Sequence, residues 1–583
     1  MPAARSQVPP AQSRQPARWT RPDPVTAAIV VMTALAVALR LYQLSRPDYL
    51  IGVTEYDDGT DFGSAILLTH GYLPYRDFIM VQPPGITLLM APVALVTKGI
   101  GTAWAMGVGR ILTALAGAAA VAMGGLLVRH RGLLAVILTC GILAVYPAAV
   151  QAAHTVLLEP WLVLFCLAGM LAVFDGDRLA STRRLVWGGV AFGFAGAIKV
   201  WAILPVLVIL VLILAARQPR RALAYAAGVV AGFAVPVVPF AALAPGTFYR
   251  SVVLAQLVRV DTVRIPLGYR LHEMTGLTDF TGLTSTLVLS LISLLIVALV
   301  VGCSVAASRL TGERPPLLEQ FALASGVLTI IAFLWPADFY YHYAGFLAPF
   351  LALAIALPVA RFVDALRVSP AGSVSQAAAA RADGAARAAG APRTEGSPRA
   401  GGAWSRDAAG ASRPAGRLIL RYGMAVAIVA VAAMAVAQFV FESSLQPPLA
   451  PTTPGLTSDV VSAASDVIPP GACVLTDQAS YTIAANRFVS ARPGCVPMVD
   501  GVGSDYSLSR GRSAATGAGR VPAVRALWMS ALRGAQYVWL SPLSYKRIPW
   551  GTREISAYFD ENFVPVPHGP FGLYMRKGQR PVS

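Results

Sequence analysis

Residues 25–44 read VTAAIVVMTALAVALRLYQL, and residues 54–62, just beyond them, read TEYDDGTDF. An α-helix crosses a bilayer with about 20 predominantly apolar residues, so the first stretch predicts a membrane span. The second places four acids, Glu55, Asp57, Asp58 and Asp61, directly at its outer end. Working outward, apolar runs recur at residues 104–128, 133–150, 155–174, 185–198, 201–216, 222–243, 283–307, 317–335, 343–359 and 418–441, which with the first makes about eleven spans. The 583-residue chain is 56% hydrophobic and 13% charged, with a mean hydropathy of +0.61. Those values exclude a soluble enzyme, a nucleic-acid-binding protein or a disordered scaffold as the whole chain. The expected class is an α-helical polytopic membrane protein in a bacterial plasma membrane.

Charge orients the spans. The net charge of +18 falls mostly in short loops between apolar runs, so no nucleic-acid partner is required to explain it. Arg5, Arg14, Arg18 and Arg21 stand against Asp23 before the first run, which predicts a cytoplasmic N-terminus (residues 1–24) and a first helix retained as a signal anchor. Alternation then puts Arg129/Arg131, Arg178/Arg183/Arg184, Arg217/Arg220/Arg221 and Arg309/Arg314 inside, together with residues 361–417. That Ala/Gly/Ser/Arg-rich linker has too few large apolar residues to bury a core and is expected to be disordered, its arginines touching anionic lipid. The long, chemically varied segments fall outside: 45–103, 244–282, the turn 336–342, and residues 442–583 after the last span. In the final segment, strand-like runs at 472–475 and 537–540 and a helical pattern at 521–531 predict a small extracytoplasmic α/β domain. Cys473 and Cys495 lie in it and are expected to form a disulfide, because that side permits oxidation and no further His or Cys completes a metal set. Gly189 and Gly193 form a small-xxx-small pair suited to close helix packing.

The first outer loop continues through a helical stretch closed by Gly71, then Pro74-Tyr75-Arg76-Asp77-Phe78 and Gln82-Pro83-Pro84-Gly85. Asp57 or Asp58 as the N-cap of that helix is the structural account of the acids. The functional account comes from the whole pattern. An acidic pair just outside the first span, a short amphipathic helix and a Pro-Pro turn some two dozen residues on resemble the GT-C superfamily of membrane glycosyltransferases, most closely the protein O-mannosyltransferase and lipid A aminoarabinose transferase branch. The resemblance covers residues 25–360. In that branch an Asp-Glu pair opens the loop and a Lys-Pro-Pro-Leu motif closes it; here the pair is Asp57-Asp58 and the motif is Gln82-Pro83-Pro84-Gly85. Gln82 replaces a lysine that in relatives faces the lipid phosphate, so another cation has to serve.

The resemblance implies transfer of one sugar, with inversion, from a polyprenyl-phosphate donor to a glycan, glycolipid or protein acceptor on the outer face, with no essential metal or other cofactor. Asp57 is then the expected general base and Asp58 its catalytic neighbour. Arg259 and Arg264, in the 244–282 loop, match the position of a phosphate-binding arginine, and Arg76, Gln82, Tyr341 and His342 complete the expected substrate contacts. Lys199, between two apolar half-spans, either faces the lipid phosphate or forms an ion pair with Glu159, equally out of place near the outer end of its own span. The tyrosines of the 335–343 turn also fit an interfacial aromatic belt. Asp57, Asp58 and Glu159 together offer oxygen ligands for a hard cation, the less favoured mechanism. Two rival functions use the same sequence differently: a flippase for a polyprenyl-linked sugar, and a non-catalytic envelope protein that binds glycan through residues 442–583.

Overall fold

The computed structural model describes residues 23–260, 264–368, 414–445 and 456–579. The N-terminal residues 1–22 and most of the predicted linker, 369–413, lie outside the described residues. Asp23 caps α1 (Pro24–Leu44), whose first residue is a proline that has no N–H to leave unpaired. The loop that follows carries α2 (Tyr56–Thr69) and α3 (Gly85–Leu95), and leads into the long α4 (Thr97–Val128). Next come α5 (Leu133–Val145), α6 (Pro147–Ala152) and α7 (Leu158–Val173), then a tight hairpin of β1 (Phe174–Asp175) and β2 (Arg178–Leu179). Helices α8 (Thr182–Ile198), α9 (Ile203–Ala215) and α10 (Pro219–Leu243) complete the first part of the bundle. Short helices α11 (Pro245–Phe248), α12 (Ala255–Val258), α13 (Leu267–Thr275) and α14 (Leu277–Thr281) form a second long loop. Beyond it stand α15 (Thr286–Thr311), α16 (Leu317–Leu334), α17 (Tyr343–Val368) and α18 (Pro414–Ser444).

Each of the eleven predicted apolar runs contains a helix. Seven helices are long and apolar enough to cross a membrane by themselves: α1, α4, α10, α15, α16, α17 and α18. The other four, α5, α7, α8 and α9, have 13, 16, 17 and 13 residues. Of these, α5, α7 and α9 are shorter than their runs, while α8 extends its run toward the N-terminus. Pro147 holds Tyr146 extended and splits run 133–150, and Lys199, also extended, separates α8 from a 3₁₀ turn that leads into α9. Helix α17 goes the other way. It runs past the expected end at residue 359 because Arg361 is buried against Glu319 (2.7 Å) and Ser304 rather than leaving the bilayer.

The glycines of α8 work as expected from their spacing. A Cβ at Gly189 or Gly193 would collide with the backbone of α10 near Tyr225 and Val229, and Gly228 and Gly232 of α10 meet Val186 and Val190 in return. The two helices therefore touch backbone to backbone, which brings the break at Lys199 into the bundle.

Residues 456–579 form the α/β domain. It contains α19 (Ser458–Val467), β3 (Val474–Thr476), α20 (Ala479–Ala484), α21 (Gly501–Ser509), α22 (Pro522–Gly534), β4 (Tyr537–Trp539), α23 (Ser544–Arg547), α24 (Arg553–Asn562), β5 (Phe563–Pro565) and β6 (Leu573–Arg576). The sheet order is β3-β4-β6-β5, with β3 parallel to β4 and the other pairs antiparallel. Trp528, Tyr537 and Trp539 fill its interior. Cys473 and Cys495 are joined by a disulfide. The domain is docked, not tethered. Gly59 of α2 lies so close to the Ser480 backbone that any side chain there would clash, and Thr60 Oγ1 donates to the Val499 carbonyl (3.2 Å). Thr102 Oγ1 donates to the Ile483 carbonyl (2.6 Å), and Val260 N–H to the Gly511 carbonyl (2.9 Å).

Candidate active site

At the junction of these parts is a cavity of about 210 Å³ lined from four sides: the start of α2 with Gln82, the α8–α9 break, the residues around α12 and the 340–343 turn, and the α/β domain. Its geometry begins at the N-terminus of α2. The cap is Glu55, not Asp57 or Asp58: Glu55 Oε1 accepts from Tyr56 N–H (2.9 Å). Its other oxygen accepts from the Tyr341 hydroxyl (3.2 Å), and burial, reinforced by the nearby Asp57 charge, pushes the carboxyl up to about 7.

The acidic pair of the sequence separates here, since consecutive helical residues point about 100° apart. Asp57 opens into the cavity, its side chain 44% exposed, with Oδ2 3.6 Å from His342 Nε2. Asp58 is turned into the protein, fully buried. It receives the Arg110 guanidinium from α4 and the Val156 N–H (2.7 Å), and it does not line the cavity. Its expected catalytic role is corrected to a structural one, because both carboxylate oxygens are already taken.

Behind Asp57 runs a chain of charged groups. His342 Nδ1 stands 3.0 Å from Glu159 Oε1, an ion-pair distance without hydrogen-bond alignment, and the same oxygen accepts from Lys199 Nζ at 2.6 Å. The ion-pair alternative for Lys199 is thus what the structure contains, yet the amine still borders the cavity, packed over the Trp201 (4.0 Å) and Tyr343 (4.3 Å) rings. The Pro-Pro motif helps place it: a Cβ at Gly85 would strike the backbone at Ala197, so only glycine lets the start of α3 reach the end of α8. Arg259 also lines the cavity and donates to the Tyr343 hydroxyl. Gln82, Tyr341 and His342 are in the same wall.

Two expected contacts lie elsewhere. Arg264 is exposed and donates to the Leu334 carbonyl (2.9 Å), and Arg76 is exposed and paired with Asp77 (2.7 Å) at a separate groove of about 430 Å³ under the α/β domain. The oxygen-ligand set does not assemble either, since Asp58 faces Arg110 and Glu159 faces Lys199. Among the described residues no group of three His, Cys, Asp or Glu side chains is arranged to hold a metal ion.

The α/β domain supplies groups that the sequence gave no reason to place here. Asp500 caps α21 by accepting from Gly503 N–H (2.7 Å) and also accepts from the Tyr56 hydroxyl (3.2 Å); burial pushes its carboxyl up to about 6. Arg547 covers the Tyr56 ring at 4.5 Å and donates to Gln478 Oε1 (2.7 Å), and Lys546 beside it lines the cavity. One missed residue did carry a signal. Arg110 lies inside an apolar run, and an intramembrane arginine calls for a buried partner.

A polytopic helical bundle with an acid-bearing first loop, a cation-lined cavity at one end and a docked α/β domain is the architecture of GT-C membrane glycosyltransferases. Residues 81–336 match the model of Glycosyltransferase family 87. The solved structure of ArnT from Cupriavidus metallidurans in the apo state is similar with a TM-score of 0.53 at 18% identity, covering 90% of this chain and 94% of that one. The same protein bound to undecaprenyl phosphate gives 0.53 at 17% identity, with 94% and 98% covered. The Archaeoglobus fulgidus oligosaccharyltransferase gives 0.50 at 12% identity, with 94% and 73% covered. No curated protein matches the sequence. The family match thus covers residues 81–336, and the chain as a whole shares the fold of these solved membrane proteins.

Proposed function

We propose that this enzyme moves a monosaccharide, with inversion, from a polyprenyl phosphate to an acceptor hydroxyl on the extracytoplasmic side of the bacterial plasma membrane. The observation that carries the proposal is Asp57: a carboxylate open to the cavity, backed by His342, Glu159 and Lys199 in sequence. In the reaction the acceptor oxygen bonds to the anomeric carbon as the bond from that carbon to the phosphate oxygen breaks. The acceptor proton goes to Asp57, and positioned general-base help of this kind contributes about 10²–10⁴-fold. His342, held between Glu159 and Asp57, orients the base. The departing lipid phosphate gains negative charge, which Arg259, and behind it Lys199, are placed to stabilise without reorganisation. No step in this scheme calls for a metal ion. The similarity to ArnT, which has been solved with undecaprenyl phosphate bound, supports a lipid-phosphate donor.

The test is to incubate the purified, membrane-reconstituted protein with labelled polyprenyl-phosphate sugars and envelope acceptors. The expected result is transfer, or slow release of the sugar to water when no acceptor is present. Movement of the intact labelled lipid across the bilayer with no bond broken would establish the flippase reading instead.

A further inference from the structure

Four cations line the cavity, and their partners differ. Lys199 is neutralised by Glu159 at 2.6 Å, and Arg547 has Asp477 at 3.5 Å. Arg259 bonds to the neutral Tyr343 hydroxyl, and Lys546 has the Tyr545 ring 5.7 Å away; neither is in an ion pair among the described residues. The carboxyls that face them are Asp57, Asp338 near Arg259, and Glu55 and Asp500, the last two pushed toward the neutral form by burial. Two walls of the cavity therefore each present a cation outside any ion pair among the described residues, Arg259 from the α12 region of the bundle and Lys546 from α23 of the α/β domain.

The placement of Lys546 is fixed by its neighbour. Arg547 rests on the Tyr56 ring and is tied to Gln478, and Tyr56 is in turn bonded to Asp500, so α23 is pinned to the turn of α2 that bears Asp57. We infer that Lys546 is an anion-binding residue of this site, acting with Arg259 on the oxygens of a phosphate group, so that the α/β domain completes the charge of the substrate site. This rests on the transferase reading for its substrate, although not for its measurement. The phosphate has two possible sources with one chemistry: the lipid phosphate of the donor, or a phosphate on the acceptor.

The experiment uses the full-length protein and the variants Lys546→Gln and Lys546→Arg. Equilibrium binding of undecaprenyl phosphate is measured at low and high salt, and KM is measured for a phosphate-bearing and a neutral acceptor. Lys546 is only half-buried and Gln keeps much of its stem, so both variants are expected to fold, which their thermal transitions check. Loss of a hydrogen bond to a charged group corresponds to about tenfold weaker binding, with a shallower salt dependence, and Arg should restore most of it. If lipid-phosphate binding falls in Lys546→Gln, the group belongs to the donor. If that binding is unchanged and KM rises only for the phosphate-bearing acceptor, it belongs to the acceptor. No change in either, or equal loss in Gln and Arg, overturns the inference. Because the lipid-phosphate measurement needs no turnover, it reads separately from any failure of the transfer reaction.

Discussion

Asp57 and Asp58 are chemically alike and adjacent, and the fold gives them opposite surroundings. Asp58 neutralises Arg110 where neither side chain reaches solvent. Removing one partner of a buried pair leaves an uncompensated charge, at a cost of about 3–5 kcal/mol, so Asp58→Asn should sharply lower the yield and thermal stability of folded protein. Asp57→Asn should leave both near wild type, since Asp57 is partly exposed and does not cap α2. The sequence singled out the Asp57-Asp58 pair, but not the different surroundings of its two members. Two neighbours look the same until the helix phase is fixed by Glu55 as cap, and Arg110 reaches Asp58 only through packing of α4. Glu55 yields a prediction of its own. Its folded pKa, about 7, exceeds the ordinary 4.5, so the folded state holds a proton that the unfolded state has lost between those values. The stability this contributes is complete below about pH 4.5 and is lost as pH rises through 7, up to about 3 kcal/mol for this shift. Glu55→Gln, neutral throughout but with one oxygen to accept from Tyr56 N–H or Tyr341, should remove the fall in the thermal transition between pH 4.5 and pH 8 that Glu55 contributes in the wild type.

At the scale of elements, hydropathy located the eleven helices of the apolar runs because the bilayer imposes composition directly on the chain. The break at Lys199 was visible as a charge between two apolar runs, whereas the one at Pro147 fell inside the run 133–150 and was not. Nor was the end of α17, because an arginine at a span boundary looks like a loop residue until Glu319 and Ser304 are seen to satisfy it. The α8–α10 contact was legible from glycine spacing and is testable by contrast within one helix. Gly193→Val drives a side chain into the α10 backbone, whereas Gly196 has only the Phe233 ring at 3.5 Å. Overpacking typically costs about 1–3 kcal/mol, so Gly193→Val should lower the melting temperature of the purified protein while Gly196→Val has little effect.

At the scale of the whole molecule, the site is assembled from both ends of the chain. Tyr56 bonds to Asp500, 444 positions away, and no periodicity or local motif encodes such a meeting. That is why Lys546 and Arg547 escaped the sequence, while Lys199 and Glu159, each conspicuous as a charge in an apolar run, did not. The proposed orientation makes a simple prediction: a reporter fused after Ser583 should report an extracytoplasmic location and one inserted at Gly390 a cytoplasmic one, as read by a phosphatase or fluorescent fusion. The docked domain and the bundle then share one outer-face cavity, and the central claim is that Asp57 is its base. The most direct measurement is single-turnover sugar transfer by Asp57→Asn alongside its equilibrium binding of the lipid-phosphate donor. A carboxamide cannot take the acceptor proton at neutral pH, so transfer should fall about 10²–10⁴-fold while donor binding is retained. Transfer by Asp57→Asn at the wild-type rate would contradict the account.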